Sequence, residues 1–344
     1  MGGLGLARSA QPPMPRLHFA GLVIDSDASA LQADVFAPAL PLTLSSARES
    51  STSAALAPAD LVLHAVLTAA PTPNPEQLSA LPALYHGRTR CFRDGADFVL
   101  WDGASTLRVL ADGSRIEAQV HASSLDEAFH FSSVTVSMAL MLALRSHGLF
   151  HLHAAGLQWA RDDAWVIAGE SGAGKSTLTL ALLGAGASSL GDDALLLRSA
   201  GTQLEVVGLP RMLRMTTATA AAYPELQPLF VACPEGSARQ LEIDPREAFP
   251  DRSVEATTEA HTLVFPRIGD AGACRVVELD RADALGRLLH SAAWVAVENI
   301  PQRGEQLALL TQLANSARAF DVAVSTRILT NPSSVAAELR ERLR

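Results

Sequence analysis

Lys175 is the only lysine in a chain of 344 residues; the other 26 of its 27 basic residues are arginines. It sits in Gly169-Glu170-Ser171-Gly172-Ala173-Gly174-Lys175-Ser176, with Thr177 next. Two glycines separated by four residues and followed by Lys-Ser form the phosphate-cradling pattern of a P-loop. Backbone N–H groups of such a loop, and the first turn of the helix after it, point at an anion. A flexible ammonium fits inside a tight ring of amides where a planar guanidinium would not. Lys175 is therefore expected on the β- and γ-phosphates of a nucleotide, with the Ser176 hydroxyl as a Mg²⁺ ligand. A serine nucleophile elbow is the competing reading, but Gly169-Glu170-Ser171-Gly172-Ala173 lacks the closing glycine.

Two further groups could share this chemistry. Asp192 and Asp193 follow Lys175 by 17 and 18 residues, at the end of the short β-like run Ser188–Leu190. In a parallel sheet that distance suits one helix and a return to the neighbouring strand, which puts both carboxylates at the edge where ligands collect. One of them can serve Mg²⁺ through water while the other accepts a proton from an attacking hydroxyl. The bland alternative is an Asp-Asp turn that satisfies its own backbone. His151 and His153, two apart on an expected strand, should share a face. The spacing suits one histidine facing the phosphates better than a metal pair, because no third ligand lies nearby.

The elements that must position these residues are legible as two regions. Residues 1–16 read as a disordered leader and 17–147 as a β-rich N-terminal module of α+β character. Within it, Leu17–Ile24 and Leu61–Val66 read as strands, Ser45–Ala57 as a loop or weak helix, and Ala70–Glu76 as a linker. A meander comes next, with turns at Asp94-Gly95, Asp102-Gly103 and Asp112-Gly113, so an antiparallel sheet is expected. Ser124–His147 carries a capping signal and an apolar stripe, and reads as helix. Residues 148–344 read as an α/β nucleotide-binding domain. Phe150–Leu157 and Ala164–Ala168 are its first strands, the loop follows the second directly, and Ser176–Leu183 is the helix. Helices are also expected over 281–290, 305–317 and 334–343.

The totals exclude several classes. A net charge of −9 with no arginine cluster argues against a nucleic-acid partner. The three cysteines have no metal spacing, which points to a reducing, cytoplasmic setting. The apolar run Val134–Leu144 is about half of what a bilayer needs, so no membrane association is expected.

His153, the loop with Thr177, and Leu190-Gly191-Asp192-Asp193 together resemble the C-terminal catalytic domain of HPr kinase/phosphorylase. The resemblance covers roughly 150–280 and is motif-specific over its first 45 residues. It implies a P-loop kinase fold, ATP and Mg²⁺ as cofactors, and a protein or peptide acceptor with a Ser or Thr hydroxyl. It also implies a homo-oligomer. By the same resemblance Asp193 is the proton acceptor, His153 the active histidine, Lys175 the phosphate lysine and Ser176 a magnesium ligand, leaving Asp192 beside the metal. The family's second magnesium ligand, a glutamate, has no counterpart here: its place is taken by Met215-Thr216-Thr217-Ala218-Thr219-Ala220. The family's catalytic arginine falls on either Arg239 or Arg252. The chain looks more like the divergent members that phosphorylate lasso-peptide precursors than like the enzyme that acts on HPr. A non-catalytic nucleotide sensor and a P-loop ATPase are the readings from other classes. If the loop holds phosphates, Lys175→Ala should lower turnover of nucleotide by about 10³-fold or more, measured by release or transfer of labelled γ-phosphate.

Overall fold

A computed structural model of the chain describes residues 16–20, 22–27, 59–70, 78–160, 163–209, 211–233, 237–257 and 260–343. Residues 1–15 of the expected 1–16 leader, the Ser45–Ala57 segment and most of the 70–76 linker lie outside these residues, while Arg16 belongs to the first strand rather than to a leader. The architecture is mixed α/β, with several sheets and helices.

The first sheet has eight strands: β1 Arg16–Phe19, β2 Leu22–Asp27, β3 Leu61–Thr68, β4 Ala83–His86, β5 Arg90–Asp94, β6 Asp97–Trp101, β7 Thr106–Val109 and β8 Arg115–His121. All three expected Asp-Gly turns are present as hairpin connections, with left-handed glycines at 95, 103 and 113. Two expectations need correction. Leu17–Ile24 is not one strand but the hairpin β1–β2, which reverses beside Ala20 in the left-handed conformation. The sheet is also not wholly antiparallel, because β3 lies parallel to both β2 and β8. Parallel neighbours need a crossover rather than a tight turn, and the meander β4–β7 is what the chain inserts between β3 and β8.

Along β8, buried and exposed residues alternate strictly, the signature of a sheet with one covered face. The cover is the apolar helical stretch Ala128–Ser146. It is 19 residues long, apolar enough to cross a membrane by length and composition, and two-thirds buried against the rest of the chain. It opens with an α-helical turn over Ala128–His130, winds as a π-helix over Phe131–Val136, and continues as α-helix over Ser137–Ser146. The same core takes in Leu196, Val207 and Leu209, so the first sheet and its helix pack directly onto the second half of the chain.

The second half opens with β9 Phe150–Leu152, β10 Ala154–Ala160, β11 Asp163–Ala168, the helix Lys175–Gly184 and β12 Ser188–Gly191. Its later strands are β13 Leu195–Ala200, β14 Gln203–Gly208, β15 Leu213–Met215, β16 Val231–Ala232, β17 Leu241–Ile243, β18 Ala256–Thr257, β19 Ala260–Ile268, β20 Arg275–Leu279 and β21 Arg318–Val324. The expected single strand Phe150–Leu157 is divided at His153. Its first part, β9, joins a four-stranded sheet in the order β18-β14-β13-β9; β10 joins a six-stranded sheet in the order β12-β10-β11-β19-β21-β20. The expected adjacency of β11 and β12 also fails, because β10 lies between them and is antiparallel to both. Two antiparallel steps leave β12 running the same way as β11, and β19 and β21 run that way too. The C-terminal ends of four strands thus share one edge.

The six-stranded sheet is covered on both faces. Leu157, Trp165, Ile167 and Phe320 face the helices Lys175–Gly184 and Pro332–Arg342. Val166, Ala168, Leu263 and Phe265 face the helices Arg281–Ser291 and Arg303–Ser316 together with the inner side of β13 and β14. Gly208, at the end of β14, lies so close to the Leu190 carbonyl of β12 that a Cβ would overlap the backbone. Gly208→Ala should therefore push β12 away and cost about 1–3 kcal/mol, seen as a fall of several degrees in Tm; an unchanged Tm would contradict this packing.

Candidate functional site

The shared strand edge opens into a cleft of about 870 Å³. Its floor is the glycine-rich loop between β11 and the helix Lys175–Gly184. Gly172 and Gly174 adopt φ of 86° and 95°, and Gly174 is the residue from which the helix starts. A β-carbon would be strained in that backbone region, so the loop depends on glycine for its curl rather than for space. Ser171, Gly172, Ala173, Gly174, Ser176 and Thr177 all line the cleft.

Lys175 is 6% exposed, and its ammonium is held by three acceptors. Nζ donates to the Gly169 carbonyl at 2.8 Å and the Glu170 carbonyl at 3.2 Å, and lies 3.1 Å from His153 Nε2. An ammonium can only donate, so Nε2 must accept and the imidazole proton resides on Nδ1. Nδ1 in turn lies 3.2 Å from Asp193 Oδ1 and 3.1 Å from the Asp193 carbonyl. Carboxylate, imidazole and ammonium thus stand in a row. Burial lowers the Lys175 pKa, and the nearby Asp193 and Asp192 charges oppose that fall.

Asp192 occupies a different environment. It is 3% exposed and accepts a hydrogen bond from the Ser176 hydroxyl at 2.9 Å through Oδ2. Its Oδ1 is buried with no hydrogen-bond partner among the described residues. Burial, reinforced by the adjacent Asp193, pushes its pKa up to about 7, against the pull of Ser176 and Lys175. An orphaned carboxylate oxygen beside a serine hydroxyl is a pair of hard oxygen donors, which fits Mg²⁺. The two aspartates point at different partners. Asp193 lies beyond β12 with φ of 67°, a left-handed turn position that aims its side chain at His153.

His151 does not join His153. It lies on β9, where its carbonyl accepts from Gln306. Burial, with Arg211 and His153 nearby, pushes its pKa down to about 3. Of the two candidate arginines, Arg239 lines the cleft. Arg252 does not: it donates to the Leu183 carbonyl at the far end of the loop helix. The Thr216–Ala220 stretch offers no carboxylate but reaches the loop helix, where Thr219 Oγ1 lies 2.9 Å from Thr177 Oγ1.

Three other contributors to the cleft carry no motif in the sequence. Arg211 enters after β14; it donates to the Ser137 hydroxyl at 3.2 Å, and its Nε has no partner among the described residues. Arg214 pairs with Glu242 at 3.0 Å and lies over the Phe129 ring. Phe129, His130 and Val134, at the start of the first region's helix, form the opposite wall. Only the closeness of Arg211 and Arg214 in an acidic chain could have drawn attention to them.

No protein-family model matches this chain, and no curated protein does. Among solved structures, the chain is similar to the Hpr(Ser) kinase/phosphatase from Coxiella burnetii, at 15% identity and a TM-score of 0.28. The match covers 56% of this chain and 95% of that one.

The raised pKa of Asp192 can be measured through stability. Its folded value of about 7 lies above the ordinary carboxylate value, so the folded state holds a proton that the unfolded chain releases. Stability from this group is present at low pH and is lost as pH rises through about 7. Asp192→Asn removes the buried charge, so its Tm should exceed the unsubstituted protein's at pH 8 without divalent cation. The difference should shrink toward pH 4. A constant offset across that range would show that Asp192 is not protonated in the fold.

Proposed function

We propose that this chain is an ATP- and Mg²⁺-dependent phosphotransferase that moves the γ-phosphoryl group to a Ser or Thr hydroxyl of a protein or peptide. The observation that carries the reading is the row Asp193–His153–Lys175 at the mouth of the glycine-rich loop, with Ser176 and Asp192 behind it.

In this reading the loop amides and the start of the helix Lys175–Gly184 hold the phosphates. Lys175 exchanges its bonds to the Gly169 and Glu170 carbonyls for phosphate oxygens, where its charge stabilises the transferring group. Ser176 and Asp192 would hold Mg²⁺, which when bound would help neutralise the phosphate charge. His153 gives its Nδ1 proton to the Asp193 hydrogen bond and so fixes the orientation of that carboxylate. Asp193, half exposed at the cleft, accepts the proton of the acceptor hydroxyl. The hydroxyl oxygen bonds to the γ-phosphorus as the bond from that phosphorus to the β,γ-bridging oxygen breaks, and ADP leaves. Arg211 and Arg239 lie within the same cleft and suit the remaining phosphate charge.

Purified protein with Mg-ATP and a library of Ser- and Thr-containing peptides should yield phosphorylated peptide. Brisk ATP hydrolysis with no transfer would overturn the kinase reading in favour of an ATPase. Tight binding with neither reaction would favour a nucleotide sensor. Asp193→Asn should lower transfer by about 10²- to 10⁴-fold and leave ATP affinity nearly intact. Asparagine tolerates the left-handed backbone at this position, so the turn should survive. Asp192→Asn should weaken Mg-ATP binding instead. Reversed phenotypes would refute the assignment of roles even if transfer itself is observed.

A further inference from the structure

The six-stranded sheet sets out the cleft in a fixed order. At one side β12 ends in the Asp192 carboxylate that bonds Ser176, and the loop leaves β11 two strand positions away. At the other side stand the ends of β19 and β21, where Ile268 and Val324 are register partners in parallel pairing. Strands are spaced by about 4.8 Å, so these two ends lie roughly 5 and 10 Å beyond the loop strand.

Those ends carry an apolar shelf that is left open among the described residues. Ile268 is 67% exposed, and Leu329 is 37% exposed, although both line the cleft. Val324 and Ile328, both buried, line the same part of the cleft. The shelf is preformed: Thr326–Leu329 is a 3₁₀ turn capped by the Ser325 hydroxyl, and the Thr326 amide donates to the Asp270 carbonyl at 2.9 Å. The segment that carries Leu329 also packs against the loop helix through the buried Ile328.

The geometry points to this shelf as the nucleobase subsite, with the purine of ATP lying against Ile268 and Leu329. The inference rests on the proposal that the loop holds a nucleotide's phosphates. With the metal and acid groups on the β12 side, the terminal phosphates must point that way. The nucleoside then extends across the loop toward β19 and β21, over the distance a ribose and a purine occupy. The shelf is aliphatic, so the base is held by contacts that respond to side-chain size rather than by ring stacking.

The test compares Mg-ATP with Mg-tripolyphosphate, which has the phosphates and no base, by calorimetric titration of the full chain. Ile268→Ser and Leu329→Ser alter partly exposed side chains. Each should weaken ATP binding about tenfold and leave tripolyphosphate binding within about twofold, which also reports that the variants are folded. If both ligands weaken equally, the shelf supports the loop rather than the base, and the proposal fails. Unchanged ATP affinity would overturn it while leaving the phosphate site standing, and a raised KM for the peptide acceptor alongside would reassign the shelf to that acceptor. If the unsubstituted protein binds neither ligand, the reading of the loop falls and takes this one with it.

Discussion

The chain between Phe150 and Ala160 serves two sheets, and the site depends on where it changes from one to the other. His153 is the residue at the change. Its amide donates to the Ser291 carbonyl rather than to a neighbouring strand, which frees its ring to stand between the loop and the aspartate pair. The same change puts β10 between β11 and β12. Loop and carboxylates are thereby set two strands apart on one edge, with the histidine spanning the gap.

Charge then decides how the gap is filled. A largely buried ammonium is tolerated only with partners, and Lys175 has two loop carbonyls and the imidazole. Asp193, more exposed, completes the row, whereas Asp192 is enclosed with one oxygen unpartnered among the described residues and its pKa is raised by burial. The two neighbouring acids differ because one follows the strand into the core and the other turns out of it. That division fits a metal-side carboxylate and a solvent-side base better than it fits two equivalent ligands.

Local signals are legible in the sequence, and relations between distant segments are not. The three Asp-Gly steps and the strand–loop–helix order around Lys175 are set by neighbouring residues, and each is present. The cap expected at Ser124 is not: Ser124 lies inside the turn Ala122–Leu125, which His121 caps, and its hydroxyl accepts from Ser105 instead. Phe150–Leu157 reads as one strand because alternation along a chain does not say which sheet a residue pairs with. The hairpin at Ala20 escapes such a reading because a left-handed alanine leaves little trace in composition. The parallel pairing of β3 with β8 depends on contacts across some fifty residues. Arg211 reaches the cleft only because β14 ends beside the first region's helix. Arg252 fails as a clamp for a related reason: its spacing from the loop cannot show that it faces the opposite end of the loop helix.

The lone lysine also gives the chain an unusual chemical simplicity. All other basic side chains apart from histidine are guanidinium groups, so this protein carries a single side-chain amine, and that amine is enclosed at the foot of its cleft. Reagents that acylate primary amines would find no competing lysine on the surface. The extent of acylation at one atom would therefore report how open the cleft is, and a bound anion would register as protection. The fold thus contains its own chemical probe of one pocket, with no engineered label required.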